Sequence, residues 1–148
     1  MELLSKKSQP EIWYEELSAP YKPEEFPNDK RYCCILFVND WKIQEKDRDA
    51  LSEEIANGNC SRVFFCGRGV DVWRESIQCA YHPTSAPEED NVIEIDTNNY
   101  LEPQKAISAA LNYMDSSEEE YLLILFIGKN IPLKKSIRAF IDHIGKTS

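Results

Sequence analysis

Long apolar runs are missing from this sequence of 148 residues, and their absence excludes a membrane span. The longest apolar run, Tyr121 to Ile127, is far shorter than the roughly 18–20 residues that cross a bilayer. Residues 1–7 also lack the basic-then-apolar order of a secretory signal. We therefore expect a soluble, cytoplasmic protein that makes no contact with membranes.

Paired cysteines are absent as well, which argues against a metal site. The cysteines number five, and no two of them form a CxxC pair. Cys33 and Cys34 are adjacent, so their side chains would point to opposite faces of a strand and suit packing better than bridging. Cys79 and His82 have a ligand-like spacing, but no second pair completes a tetrahedral zinc site. We predict reduced thiols, no metal and no cofactor.

Catalytic motifs are equally scarce. The two histidines, His82 and His143, are not accompanied by a G-x-S-x-G elbow. The segment Cys66-Gly67-Arg68-Gly69 lacks the third glycine of G-x-G-x-x-G, because position 72 is valine. Gly128-Lys129 lacks the remainder of a Walker pattern. These absences favour a protein without catalytic activity.

The net charge of −9 is unevenly distributed along the chain. Residues 129–148 carry five basic and one acidic side chain, a net charge of +4, whereas residues 1–128 carry −13. Such an acidic body repels nucleic-acid phosphates and attracts a basic partner. Plain solubility is the alternative explanation of the same charge.

Residues 1–30 differ from the rest of the chain in composition. They contain four prolines interspersed with aromatic residues, and proline at this density disfavours a long helix or a central strand. Only Glu11 to Leu17 is free enough of proline to form a short helical turn. We predict an extended arm laid across the domain and pinned by Trp13 and Phe26, with docking on a partner as the alternative.

From Arg31 onward, strand and helix patterns alternate four times, which predicts a single domain over residues 31–148. The predicted strands are the apolar runs 32–38, 63–66, 92–95 and 121–127, the last of them near the centre of the sheet. Each is followed by a predicted helix, and the last helix is expected to end at Gly145. The helical residues expected to be buried are, helix by helix, Ala50, Leu51 and Ile55; Val70, Trp73, Ile77, Ala80 and Tyr81; Ala106, Ile107, Ala110, Leu111 and Met114; and Leu133, Ile137, Phe140, Ile141 and Ile144. Four such units predict an α/β three-layer sandwich of flavodoxin-like or Rossmann-like class. Its four-stranded, mostly parallel sheet has helices on both faces, and we expect the strand order 2-1-3-4.

Polar residues follow each predicted strand, and ligands of open parallel sheets bind beyond the carboxyl ends of the strands. The candidate ligand-binding residues there are Asp40, Trp41, Arg68, Asp71, Asp96 and Lys129. In a small-ligand or nucleotide site, Arg68 would hold an anion and Lys129 would neutralise charge. Asp40 and Asp96 would hold a cation or hydroxyls. Asp96 is expected where the third strand ends, in a turn of residues 96–99. The alternative explanation is that such polar residues are favoured at turns for conformational reasons that involve no ligand.

Asp40, Asp96 and Lys129 together resemble the acidic and lysine residues of phosphoacceptor receiver domains. Receivers have an acidic pair after the first strand, whereas Asp40 here follows Asn39. They also contain five strand–helix units, and this sequence predicts four. The resemblance therefore implies no phosphoacceptor site.

A second resemblance spans about residues 20 to 127. The segment Cys66-Gly67-x-x-Val70-x-x-Trp73-x-x-Ser76-Ile77 resembles a family of small bacterial α/β proteins of unknown function. Members have a Pro-rich start, a cysteine-bearing first strand and a helix with the pattern W-x-x-S-[VI]. Their usual tryptophan before the turn glycine is Cys66 here. The resemblance implies no activity, ligand or site residue.

Charge, size and missing catalytic motifs together favour a non-catalytic bacterial interaction protein that binds a basic protein partner, as an immunity protein or a defence accessory subunit would. We expect residues 1–128 to offer a contiguous acidic patch that includes some of the candidate partner-binding residues Glu45, Asp47, Asp49, Glu53 and Glu54. The alternative is the small-ligand or nucleotide-binding domain described above, whose enzymatic activity stays open. A homodimer through Trp13 or Trp41 is compatible with either function.

Overall fold

The computed structural model shows a six-stranded sheet with helices on both of its faces. The structure describes residues 2–5, 11–17, 31–39, 43–81, 93–115, 119, 121–128 and 131–147. None of the helices in these ranges is long and apolar enough to cross a membrane.

Strands and helices alternate from the third strand onward. The strands are β1 (Glu2–Ser5), β2 (Glu11–Leu17), β3 (Tyr32–Val38), β4 (Cys60–Gly67), β5 (Glu94–Tyr100) and β6 (Tyr121–Ile127). The helices are α1 (Glu45–Asn57), α2 (Val70–Ala80), α3 (Pro103–Asp115) and α4 (Ile131–Thr147). Each of β3, β4, β5 and β6 is followed by one helix, which confirms the predicted α/β class and its four strand–helix units.

The strands lie in the order β1-β2-β6-β3-β4-β5, and all neighbours pair in parallel except β1 and β2. The expected order 2-1-3-4 is wrong. The chain moves outward from β3 through β4 to β5, and then returns to place β6 on the other side of β3. The fourth predicted strand is therefore interior, as expected, but it neighbours the first. The predicted strand count is also too low, because β2 adds a fifth parallel strand.

The segment Glu11–Leu17 is a strand, so the predicted helical turn there is wrong. All seven of its residues pair with β6, from Glu11 opposite Tyr121 to Leu17 opposite Ile127. Alternate side chains reach opposite faces of the sheet, with Trp13 packing against one core and Tyr14 buried in the other. Also within the predicted arm, β1 pairs antiparallel with β2. The other residues of the arm, Phe26 among them, lie outside the described residues, so their course stays a prediction.

Two hydrophobic cores flank the sheet, and β3 and β6 contribute to both because successive side chains of a strand point to opposite faces. Leu36 packs with Trp73 in the core beneath α1 and α2. Ile35 packs with Ile107 in the core beneath α3 and α4. These two strands therefore read as continuous apolar runs, as strands covered on both faces do.

The helical periodicity identified most buried residues correctly. Confirmed as buried are Leu51, Ile55, Val70, Trp73, Ile77, Ala106, Ile107, Ala110, Met114, Ile137 and Ile141. Partly buried are Ala80, Tyr81, Leu111, Leu133 and Phe140. Ala50 is exposed, so its assignment to the core is wrong. Helix α4 continues through Gly145 to Thr147, two residues beyond its predicted end.

Strand β5 begins later and ends later than predicted, and it contains the predicted turn of residues 96–99. Its pairing with β4 shifts register between Val63, opposite Ile95, and Phe65, opposite Asn99. Two extra residues of β5 therefore bulge out of the ladder. Asp, Thr and Asn residues are typical of turns, and an edge strand with exposed side chains tolerates them, so the sequence pattern misled here.

Candidate functional site

The sheet has a topological switch point between β3 and β6. From β3 the chain proceeds towards β5 on one side, whereas β6 lies on the other side of β3. The backbone amide of Asn39 donates to the carbonyl of Ile127 at 2.9 Å, and the amide of Gly128 donates to the carbonyl of Leu17 at 3.0 Å. These hydrogen bonds align the carboxyl ends of β2, β6 and β3, where ligands of open α/β sheets bind.

Three of the predicted ligand-binding residues follow the two strands at this switch point. Asp40 and Trp41 come after β3, and Lys129 comes after β6. All three lie outside the described residues, so their convergence stays a prediction.

Arg68 lies exposed at the same edge of the sheet, between two glycines with left-handed backbone. Gly67 has φ 113°, and a Cβ atom there would lie 2.5 Å from the carbonyl oxygen of Val38. Gly69 has φ 75° and caps the start of α2. The glycine turn therefore lets β4 end against β3 and begins α2 at once, which supports the interpretation of this segment as a structural turn.

Asp71 is exposed in the first turn of α2, but its carboxylate already has a partner. Arg74 Nη1 lies 2.8 Å from Asp71 Oδ1, one turn further along the helix. Asn99 Nδ2 lies 3.4 Å from the same oxygen. Of the predicted ligand-binding residues, Arg68 and Asp71 thus both lie at the carboxyl edge of the sheet, as expected. Asp71 also helps to hold α2 against β5.

Asp96 is buried inside β5 and not at the carboxyl end of a strand. Arg62 Nη2 donates to Asp96 Oδ1 at 3.0 Å, and Arg62 Nη1 donates to the more exposed Glu94 at 2.7 Å. Arg62 is six residues before Arg68 along β4, a distance of about 20 Å for extended chain. The structure therefore pairs Asp96 with Arg62 and does not bring it to the end of the sheet where Arg68 lies.

The Arg62 guanidinium also lies between two aromatic rings. Its Cζ atom is 5.3 Å from the centroid of Phe64 and 5.0 Å from that of Tyr113, on α3. Burial acts to lower the pKa of Arg62, but the hydrogen bonds to Glu94 and Asp96 outweigh this effect and raise it above its ordinary value. Sequence reasoning missed this cluster, although a lone arginine in the run Ser-Arg-Val-Phe-Phe-Cys was a signal for a buried ion pair.

On the opposite face of the sheet, Arg74 holds the bulge of β5 against α2. Its Nε donates to the carbonyl of Asp96 at 3.0 Å and its Nη2 donates to the carbonyl of Asn98 at 3.2 Å. The guanidinium lies 4.9 Å from the centroid of the Phe65 ring. These contacts satisfy carbonyl groups that the bulge removes from the β ladder.

The five predicted partner-binding carboxylates all lie on α1. Those of Glu45, Asp49, Glu53 and Glu54 are exposed, and Asp47 is partly buried. One helix therefore displays the whole predicted set.

Polar contacts join α1 to α2 along their shared seam. Ser76 Oγ lies 2.8 Å from Asp49 Oδ1 and 2.8 Å from Ser52 Oγ. Near the ends of both helices, Asn57 Nδ2 donates to the carbonyl of Ala80 at 2.9 Å. The two helices thus form one surface on this side of the sheet.

The two helical layers carry opposite charge. Helices α1 and α2 contain seven acidic and three basic residues, a net charge of −4, whereas α3 and α4 contain two acidic and five basic residues, a net charge of +3. Two of the three basic residues of the acidic layer are already paired, Arg48 with Glu45 and Asp49, and Arg74 with Asp71. Within the part of the chain that the structure describes, no cationic side chain pairs with the remaining carboxylates of this layer, those of Asp47, Glu53, Glu54 and Glu75.

The cysteines are free thiols, and four of the five are buried. Burial raises the pKa of Cys66 to about 11 and that of Cys33 to about 12, so both are neutral at physiological pH. Neutral thiols are poor nucleophiles and poor metal ligands. Among the described residues, no group of three or more His, Cys, Asp or Glu side chains is placed to hold a metal ion.

No protein-family model, curated protein or solved structure matches this chain. The resemblance to the small bacterial family therefore stays a prediction.

Proposed function

We propose that this chain is a non-catalytic, cytoplasmic interaction protein that binds a basic protein partner through the acidic surface of α1 and α2. The observation that carries the proposal is the charge difference between the two helical layers, −4 on one face of the sheet and +3 on the other. A cationic partner is attracted to the first face and repelled by the second, so the charge selects both the partner and its orientation.

The arrangement of α1 supports the same function. Its exposed carboxylates at Glu53 and Glu54 have no cationic partner among the described residues, so they are available to lysine or arginine side chains of another protein. An immunity protein that neutralises a basic toxin, or an accessory subunit of a defence system, has these requirements. Resemblance to the small bacterial family is compatible with either role.

The test is a pull-down from native cells with two variants of equal charge. Glu53→Gln/Glu54→Gln removes two negative charges from α1, and Asp115→Asn/Asp142→Asn removes two from the exposed surface of α3 and α4. We expect the wild type and the α3–α4 variant to capture one stoichiometric partner of high isoelectric point. The α1 variant should bind it about tenfold more weakly by calorimetry, with a steep dependence on salt.

Equal binding of the partner by both variants would contradict the assignment of α1 as the binding surface. Failure of the wild type to capture any stoichiometric basic protein would contradict the function itself.

A second candidate function is binding of a small ligand or nucleotide at the switch point between β3 and β6. The order β5-β4-β3-β6 corresponds to the first four strands of the doubly wound order 3-2-1-4, which favours a Rossmann-like over a flavodoxin-like class. A thermal-shift screen with Mg-ATP and NAD tests it. A rise in Tm that is lost in Lys129→Ala would favour ligand binding at this switch point over partner binding at the acidic surface.

A further inference from the structure

Val72 is an exposed valine on the acidic surface of α2. It is 48% exposed, and the only other large apolar residue of comparable exposure among the described residues is Leu101, at 79%. Leu101 follows the end of β5, outside α1 and α2. Most other apolar side chains of α2, including Trp73 and Ile77, are buried in the core. Val72 therefore provides a small apolar site within a charged surface.

Helical geometry places Val72 beside the first turn of α1. Ser76 faces α1, because its hydroxyl contacts Asp49, and Val72 precedes Ser76 by one turn on the same side of α2. Glu45 precedes Asp49 by one turn on α1 in the same way. Both helices return from the carboxyl to the amino end of a parallel sheet, so they run in the same direction and Val72 lies at the level of Glu45.

We propose that Val72 is the apolar anchor point of the acidic surface, and that its occupant is a basic protein segment carrying an aliphatic side chain between its lysines or arginines. The proposal rests on the proposed function and specifies where the partner docks. Glu75 follows Val72 by three residues on α2, and the contact between Ser76 and Asp49 brings the first turns of α1 alongside, so helical spacing places exposed carboxylates of both helices near the valine. An apolar centre with a polar rim is the usual anatomy of a protein–protein interface.

The seam beneath this surface is held in place before any partner arrives. Ser76 contacts Asp49 and Ser52 in its middle, and Asn57 reaches Ala80 near its end. A surface that is already ordered loses little conformational entropy on binding. The apolar contact with Val72 then adds to affinity in full, while the carboxylates supply attraction and orientation.

Two synthetic peptides test the anchor at low ionic strength. One is an acetylated lysine octapeptide with a central leucine, and the other carries serine in place of the leucine. We expect the wild type to bind the leucine peptide about fivefold more tightly than the serine peptide, as partial burial of one aliphatic side chain predicts. The variant Val72→Ser should bind both equally, and the matched control Leu101→Ser should keep the fivefold preference.

The variant Glu53→Gln/Glu54→Gln separates the anchor from the charge. It should weaken both peptides to the same extent and leave the ratio between them unchanged. If the wild type shows no preference for leucine, or if Val72→Ser retains that preference, the assignment of Val72 as the anchor point is wrong. The assignment of the acidic surface as the binding surface is then unaffected. If neither peptide binds, or if the glutamine variant binds both as well as the wild type does, the proposed function fails and the anchor with it.

A second copy of the chain is the competing occupant of this surface. Sedimentation velocity of the wild type and of Val72→Ser distinguishes it. We expect both to be monomers, and a wild-type dimer that dissociates in the variant would overturn the assignment to a basic partner.

Discussion

Arg62 and Asp96 form an ion pair in which the acid is buried and the base is partly exposed. The Asp96 side chain is 4% exposed, and one of its oxygens accepts from Arg62 at 3.0 Å. Glu94 accepts from the same guanidinium, but its side chain is 57% exposed. One arginine thus pairs with two carboxylates that differ chiefly in their access to water.

We predict that these two carboxylates contribute unequally to stability. Asp96→Ala removes the buried partner of Arg62 and leaves the guanidinium charge less compensated in a low-dielectric site. It should lower the free energy of unfolding by about 3 kcal/mol. Glu94→Ala removes a solvent-screened pair and should cost less than about 1 kcal/mol. Urea denaturation of both variants measures the difference. Equal costs would contradict the larger contribution assigned here to the buried pair.

A second prediction concerns the turn that ends β4. Gly67→Ala should lower the free energy of unfolding by about 3 kcal/mol or more, because φ is 113° and the new Cβ would lie 2.5 Å from the Val38 carbonyl oxygen. Gly69→Ala is the comparison variant, since its φ of 75° is left-handed and the strain of that conformation alone should cost about 1–2 kcal/mol. Similar losses in urea denaturation would contradict the close approach of β4 to β3.

Alkaline pH should destabilise the protein through its buried thiols. Burial raises the pKa of Cys66 to about 11 and that of Cys33 to about 12, from a value of 9.0 for a free thiol. Below pH 9 both states hold these protons and stability is unaffected. Above pH 9 the unfolded chain loses these protons, whereas the folded chain keeps them until about pH 11 at Cys66 and about pH 12 at Cys33, so the free energy of unfolding falls as pH rises through this range.

Urea denaturation at pH 8 and at pH 10.5 measures this effect. The variant Cys66→Ala should show a smaller loss between the two pH values than the wild type, whereas Cys79→Ala, whose thiol is exposed, should show the same loss. A pH dependence that is unchanged in Cys66→Ala would indicate that other groups, such as the buried tyrosines, account for it.

The sequence predicted the elements that depend on local periodicity. Strands β3 and β6 are apolar at every position because both faces are covered, and α2 and α3 repeat apolar residues at helical spacing. These features are recognisable because each residue's environment is set by neighbours close in sequence.

Strand β5 shows where that reasoning ends. Its residues 96–99 have the composition of a turn, yet the strand continues through them because Asn99 pairs with Phe65 of β4. Arg74, distant in sequence, satisfies the carbonyls of Asp96 and Asn98 in the bulge. The ion pair between Arg62 and Asp96 likewise joins residues 34 positions apart. Asp96, which the sequence predicted as a ligand-binding residue, is therefore the buried partner of an arginine.

By itself, then, the sequence determined the α/β class, most of the buried helical faces and the excess of acidic charge, since periodicity and composition are local properties. Only the tertiary structure decided that β2 joins the sheet beside β6, that β6 neighbours β3, and that the charge separates into an acidic and a basic layer. Strand order and the pairing of helices depend on contacts between distant segments, whose free energies no short pattern contains.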